Sequence, residues 1–217
     1  MIFSRMSEAF AVQKAPDVDP VLVDILYSIR LPLFPMLDIT VQSESSSDLA
    51  HDLLSTDLGL ALITDPTRNA KLTMTKLSET PLHVVIPRDH ILSSKVSLKL
   101  TDLRDECWIV FQKRTHPVLY ERIMKRTQDG GFHPRSIDHI LYPDEAAHLL
   151  LATRRVALLT KANALKLAGE RLVAKPLDEE LLCLDEWLAA RAADTSRLVS
   201  EFVRASPGPR QSCNPRR

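Results

Sequence analysis

Along residues 37–65 the apolar positions change period twice. Leu37, Ile39 and Val41 alternate with Asp38, Thr40 and Gln42, the period of a strand with one buried face. Ser43, Ser45, Ser46 and Ser47 then crowd one turn, and Leu49, Ala50, Leu53 and Leu54 recur at helical spacing behind them. Leu60-Ala61-Leu62-Ile63 is a continuous apolar run of the kind that a parallel sheet buries on both faces, and Asp65-Pro66 ends it. This pattern predicts a β-α-β unit whose helix starts at the serines, because a Ser oxygen accepts an orphan backbone N–H. Such a unit sets a helix N-terminus at the carboxyl edge of a sheet, where open α/β sheets bind ligands. Taken alone, the serines read first as plain helix caps.

The rest of the chain follows the same alternation. A strand is predicted over residues 9–13, then a helix with Asp19 as N-cap and Pro20 at its first position, carrying Leu22, Ile25, Leu26 and Ile29 inward and stopped by Pro32 and Pro35. Leu72 to Leu77 alternates weakly, and Leu82 to Ile86 is a firm strand ended by Pro87. A turn and short helix span residues 96–103. Trp108 to Phe111 is a buried strand, and Thr115-His116-Pro117 opens a helix that Gly130-Gly131 closes, where φ > 0 is usual. Strands follow at Ile137–Leu141, Val156–Leu159, Leu172–Val173 and Leu181–Ala189. Helices follow after Pro143, after Thr160 and after Thr195 or Ser196. The order predicts an α/β fold with mostly parallel sheets. Residues 1–8 read as a disordered leader and residues 206–217 as a disordered, Pro-rich basic tail.

Length allows one large α/β domain or two small lobes in 217 residues. Lys plus Arg and Asp plus Glu number 28 each, so charge offers no broad footprint for nucleic acid. The three cysteines, Cys107, Cys183 and Cys213, are widely spaced and fit no metal motif, which argues for a reducing compartment. No apolar run approaches the roughly 20 residues of a membrane span, and the N-terminus lacks the apolar core of a signal peptide. A cytoplasmic protein without membrane contact is expected.

Catalytic motifs are absent from the sequence. There is no G-x-S-x-G, Walker loop, H-E-x-x-H or C-x-x-C, the seven histidines form no tight ligand set, and five glycines leave no Gly-rich phosphate loop. Neither enzyme activity, metal nor cofactor is expected. The chemistry that remains is that of binding. Besides Ser43, Ser45, Ser46 and Ser47, a second turn, Gln112-Lys113-Arg114-Thr115-His116, follows a buried strand and precedes a helix. There Gln112, Arg114 and Thr115 are candidates, since Arg holds a carboxylate in a bidentate pair. Lys14 and Thr64 end strands at the same kind of edge. Asp144-Glu145 reads as well as a helix cap, and Arg154-Arg155 as surface charge.

Several segments together resemble the effector-binding domain of LysR-type transcriptional regulators. Phe34-Pro35 precedes a strand and the helix SSSDLAHDLL. Asp57-Leu58-Gly59-Leu60-Ala61-Leu62-Ile63 stands where the family has its g-x-lD-x-a-i strand. Pro81 to His90 (PLHVVIPRDH), Leu100-Thr101-Asp102-Leu103, Gly131-Phe132-His133-Pro134 and Asp194 to Ala205 fall in register behind them. The resemblance implies a two-lobed, periplasmic-binding-protein-like (type 2) fold with helices on both sheet faces. Lobe I would be residues 9–87 plus 184–205, and lobe II residues 88–183. A small-molecule effector, expected to be a carboxylate, would sit between the lobes, with the Gln112–Thr115 turn facing the serines. A homodimer is implied, through the Asp19–Arg30 and His116–Gln128 helices. The family's DNA-binding helix-turn-helix would precede this domain, so the chain is expected not to bind DNA directly. It departs from the family in Lys14-Ala15-Pro16, where a small hydroxyl residue is common, and in Ile91 after His90. Thr153-Arg154-Arg155 stands where the family has glycines. A domain of this kind that only dimerises, with no ligand, is the alternative.

Overall fold

The computed structural model describes residues 11–33, 41–55, 58–64, 69–179, 182–194 and 196–205. The expected leader and tail, residues 34–40 at the start of the expected second strand, and Asp65, Pro66 and Thr195 lie outside them. The chain forms two compact units. The first takes the chain up to Ser78 and returns at Glu186, and the second runs from Glu79 to Asp185. The first division therefore falls inside a strand, before the boundary expected at Pro87.

In unit 1, β1 (Ala11–Lys14) lies between β2 (Val41–Ser43) and β3 (Leu58–Ile63), all parallel, and β3 pairs antiparallel with β9 (Cys183–Arg191). Every residue of β3 is buried, as its continuous apolar run requires. Asp19 starts α1 (Pro20–Leu33) by accepting the Val21 N–H at 3.0 Å, and the helix runs one residue past Pro32. Leu22 and Leu26 of α1, Leu49 and Leu53 of α2 (Ser46–Ser55) and Phe202 of α6 (Arg197–Ala205) pack with Leu60, Leu62 and Ile63 into one core. Each such buried side chain contributes about 1.5–3 kcal/mol. Arg191 Nη1 donates to Leu53 O and Leu58 O at 3.2 and 2.7 Å, fastening the end of α2 to the start of β3. Ser196 caps α6 by accepting the Val199 N–H at 3.3 Å.

The weak alternation at Leu72 and the firm strand at Leu82 are one strand, β4 (Leu72–Pro87), 16 residues long and shared between the units. In unit 2, β6 (Ser136–Ile140), β5 (Cys107–Phe111) and β7 (Val156–Thr160) are parallel. β4 runs antiparallel to β7 and to β8 (Leu172–Pro176). Alternate residues of these strands feed two cores. Leu82, Val84, Trp108 and Val110 meet Leu119 and Ile123 of α3 (Pro117–Asp129) on one face. Val85, Ile109, Ala157 and Leu159 meet Ala146 and Leu150 of α4 (Glu145–Thr153) and Ala164 of α5 (Lys161–Leu167) on the other. Helices thus cover both faces. Gly131, after α3, takes φ +69° as expected. Two 3-10 turns, Ile91–Ser94 and Leu100–Leu103, precede β5, the first unforeseen. Cys107 is a free thiol and Cys183 is disulfide-bonded, which the cysteine spacing did not foretell. No helix among the described residues is long and apolar enough to cross a membrane.

Candidate functional site

Parallel pairing brings six of the expected residues to one edge of unit 1. Lys14 ends β1 in register with Ser43 at the end of β2 and with Leu62 near the end of β3. The Glu44 N–H donates to Lys14 O at 3.2 Å, and α2 begins within that turn. Ser45 is its cap. Its Oγ accepts the Asp48 N–H at 3.2 Å and its carbonyl the Leu49 N–H at 3.0 Å. The Ser45 hydroxyl also bonds the Asp48 carboxylate and lies 3.0 Å from Ser47 Oγ. Ser46 is buried and turned inward. Its Oγ accepts the Thr64 N–H at 3.1 Å and lies 3.1 Å from Thr64 Oγ1. Thr64, 1 % exposed, thus ties the end of β3 to the start of α2.

The serines therefore divide their work. Ser45 and Ser46 are taken up by the fold, whereas Ser47 is exposed. The N–H groups of Ser46 and Ser47 have no acceptor among the described residues, as the first turn of a helix leaves them. They carry the positive end of the helix dipole. Acidic side chains oppose it. Burial, then the Asp52 and Asp48 carboxylates, push the Glu44 carboxyl up from its ordinary range.

The second turn stands by itself at the carboxyl end of β5 in unit 2. The Gln112 N–H donates to Ile140 O at 3.1 Å. Gln112 O collects the Thr115 N–H at 3.0 Å, the Thr115 hydroxyl at 2.7 Å and the His116 N–H at 3.4 Å. Thr115 thus locks the turn. His116 is buried edge-on against Phe111, with ring centroids 4.8 Å apart. Lys113 pairs with Glu121 at 3.1 Å, and the Arg114 side chain is exposed at the tip. The Glu145 carboxylate accepts the Leu141 and Tyr142 N–H groups of the turn before α4, while Asp144, the residue at the helix N-cap, makes no capping bond with its side chain and pairs with Lys166.

Sequence reading missed two polar groups near this edge. His83 Nδ1 and Thr160 Oγ1 are buried with no hydrogen-bond partner. Burial, with Lys161 nearby, pushes the His83 imidazole below its ordinary value. Both lie in apolar strand runs, where only three-dimensional packing shows that a polar atom lacks a partner. No group of three or more His, Cys, Asp or Glu residues among those described is placed to hold a metal ion.

Comparisons with known proteins agree with this architecture. The model of the LysR substrate binding domain family matches residues 31–206. The HTH-type transcriptional regulator AlsR of Bacillus subtilis (strain 168) is 24% identical over 173 residues, 80% of this chain and 57% of AlsR. The chain thus spans little more than half the length of that relative. The HTH-type transcriptional regulator TtuA of Agrobacterium vitis is 29% identical over 104 residues, 47% of this chain and 34% of TtuA. Among solved structures, the BenM effector binding domain with its effector benzoate superposes with a TM-score of 0.76 at 17% identity, over 90% of both chains. The LysR family transcriptional regulator CbnR gives 0.74 at 15%, over 92% of this chain and 70% of CbnR.

Proposed function

This chain belongs to the LysR substrate binding domain family, and from that premise we propose that it senses a small organic anion for a transcriptional regulator, taking the anion's carboxylate at the Ser43–Ser47 turn. The observation that carries this reading is the pair of unsatisfied N–H groups on Ser46 and Ser47, set beside Lys14 at the carboxyl edge of three parallel strands. Ser47 Oγ adds a rotatable donor. Benzoate, the effector of BenM, is a carboxylate of the class proposed.

The chain acts as a homodimer in this reading. Leu22 and Leu26 are buried in the core of their own unit, so the surface left to a partner on α1 includes Val21 and Tyr27, 53 % and 38 % exposed. With no catalytic group in play, the output is a change of shape, and DNA contact falls to another part of the regulator.

One observation favours the ligand-free dimerising module. Glu44, Asp48 and Asp52 gather at the serine turn and repel an anion. A thermal-shift screen of benzoate and other small aromatic and aliphatic acids separates the two readings. A ligand specific to the folded state adds about 2.7 kcal/mol at a hundredfold excess over Kd, a rise of several degrees at roughly 2–4 °C per kcal/mol. Ser47→Pro removes one N–H and one hydroxyl in the first turn of α2, where no N–H is needed for a bond within the helix. It should abolish the shift, and Lys14→Gln should weaken it. No shift from a broad acid set, or shifts indifferent to both changes, overturns the carboxylate reading.

A further inference from the structure

Unit 2 carries an open cavity of about 510 Å³ lined by three arginines, Arg88, Arg154 and Arg171. β4 runs antiparallel to β7, with Val85 opposite Ala157, so the end of β4 at Pro87 lies beside the start of β7. The cavity therefore sits at the opposite end of the unit 2 sheet from the Gln112–Thr115 turn. Its volume falls in the range of small-molecule sites.

The arginines are held by different means. Arg88 Nε and Nη2 donate to Glu170 O and Gly169 O at 3.1 and 2.8 Å, which orients its guanidinium. The Arg88 N–H donates to Arg171 O at 2.9 Å, so these two residues are neighbours across strands. Arg154 ends α4 at φ 53°, ψ 34°, the one non-glycine residue with positive φ among those described. A glycine holds such a helix end without strain, and a strained residue points to a use for its side chain. Here that side chain reaches Asp89, Nη1 to Oδ2 3.0 Å, with the two side chains 65 % and 68 % exposed. So exposed a pair is weak, and an incoming anion can replace Asp89. Three cations against one carboxylate leave the cavity positive. Pro87 and Leu150 give it an apolar wall.

We propose that this cavity binds a small organic polyanion with two or more carboxylate or phosphate groups, through Arg88, Arg154 and Arg171. Planar guanidinium forks suit both groups, and two or three together select for multiple charge.

The test is calorimetric titration of the full chain with tricarballylate and with inorganic pyrophosphate at constant ionic strength, with acetate as the singly charged control. At least one polyanion should bind saturably and acetate should not. The stronger of the two identifies the acidic group preferred. Arg154→Gly, which relieves the strained backbone, and Arg171→Gln should each weaken binding on the order of tenfold. Lys125→Gln removes an exposed charge from α3 and should leave binding unchanged. A melting curve of Arg154→Gly no lower than the parent's shows that lost binding is not lost folding. The proposal is overturned if neither polyanion saturates, if both arginine variants bind like the parent, or if Lys125→Gln weakens binding as much as they do.

Discussion

Ser78 and Glu186 stand where the chain leaves unit 1 and where it returns, and the Ser78 hydroxyl donates to the Glu186 carboxylate. The other carboxylate oxygen accepts the Asp19 N–H at the start of α1. Glu186 is 1 % exposed, so these bonds stand in for its lost hydration. Glu186→Ala leaves the Ser78 hydroxyl and the Asp19 N–H to find other partners. It should cost about 2–3 kcal/mol, seen as a lower urea midpoint at unchanged slope. A cost below about 0.5 kcal/mol would show that water replaces the carboxylate.

Ser46→Ala removes the oxygen that accepts the Thr64 N–H. The expected loss is about 1–2 kcal/mol, and Ser47→Ala, on the exposed neighbour, should cost much less. Equal losses at the two positions in a thermal melt would show that the link to β3 adds nothing.

At Arg154 the backbone decides. Arg154→Gly and Arg154→Ala lose the same guanidinium, but only glycine is at ease at φ 53°. The glycine variant should be the more stable by about 1 kcal/mol, or roughly 2–4 °C in melting temperature. An alanine variant as stable as the glycine one refutes the strain.

Acid should weaken the fold in two windows. His83 is held neutral in the fold by burial, its pKa below the ordinary 6.5. The unfolded chain therefore binds the extra proton, and stability falls as the pH drops from near 6.5 towards the depressed folded value. His83→Leu should flatten denaturation midpoints between about pH 7 and 5. A slope unchanged by the substitution assigns that window to other histidines. Asp102 is held below its ordinary 3.8 by its bonds to Lys95 Nζ, at 2.6 Å, and the Lys99 N–H, at 2.9 Å. Its contribution is present above 3.8 and is lost only as the pH falls through its lower folded value.

Light scattering at micromolar concentration should return about twice the 24.4 kDa of one chain. A mass of one chain that persists as concentration rises rules out the homodimer.

The serine turn was legible because its signals are local. A period of two gives way to helical spacing, and a continuous apolar run follows, which together place a helix start at a sheet edge. What the serines do was not legible, since Ser46 and Thr64 are brought together by parallel pairing and not by spacing. The length of β4 was hidden by Glu79-Thr80-Pro81, a polar stretch with a proline that reads as a break. The strand continues through it, at the point where the chain passes from one unit to the other. Arg154 and Arg155 read as surface charge because glycine is the ordinary sign of a left-handed helix end. The cavity draws its arginines from three separate segments, which no motif connects.

The stretch from Glu79 to Asp185 is continuous, whereas unit 1 is finished only by β9 and α6. A ribosome therefore delivers the stretch from Glu79 to Asp185 before unit 1 has its last strand. Domains generally fold as units during synthesis. Until Ala189 arrives to pair with Ala61, the apolar strand Leu58–Ile63 is left with an unpaired edge. The newborn chain carries that edge while the stretch from Glu79 to Asp185 is translated.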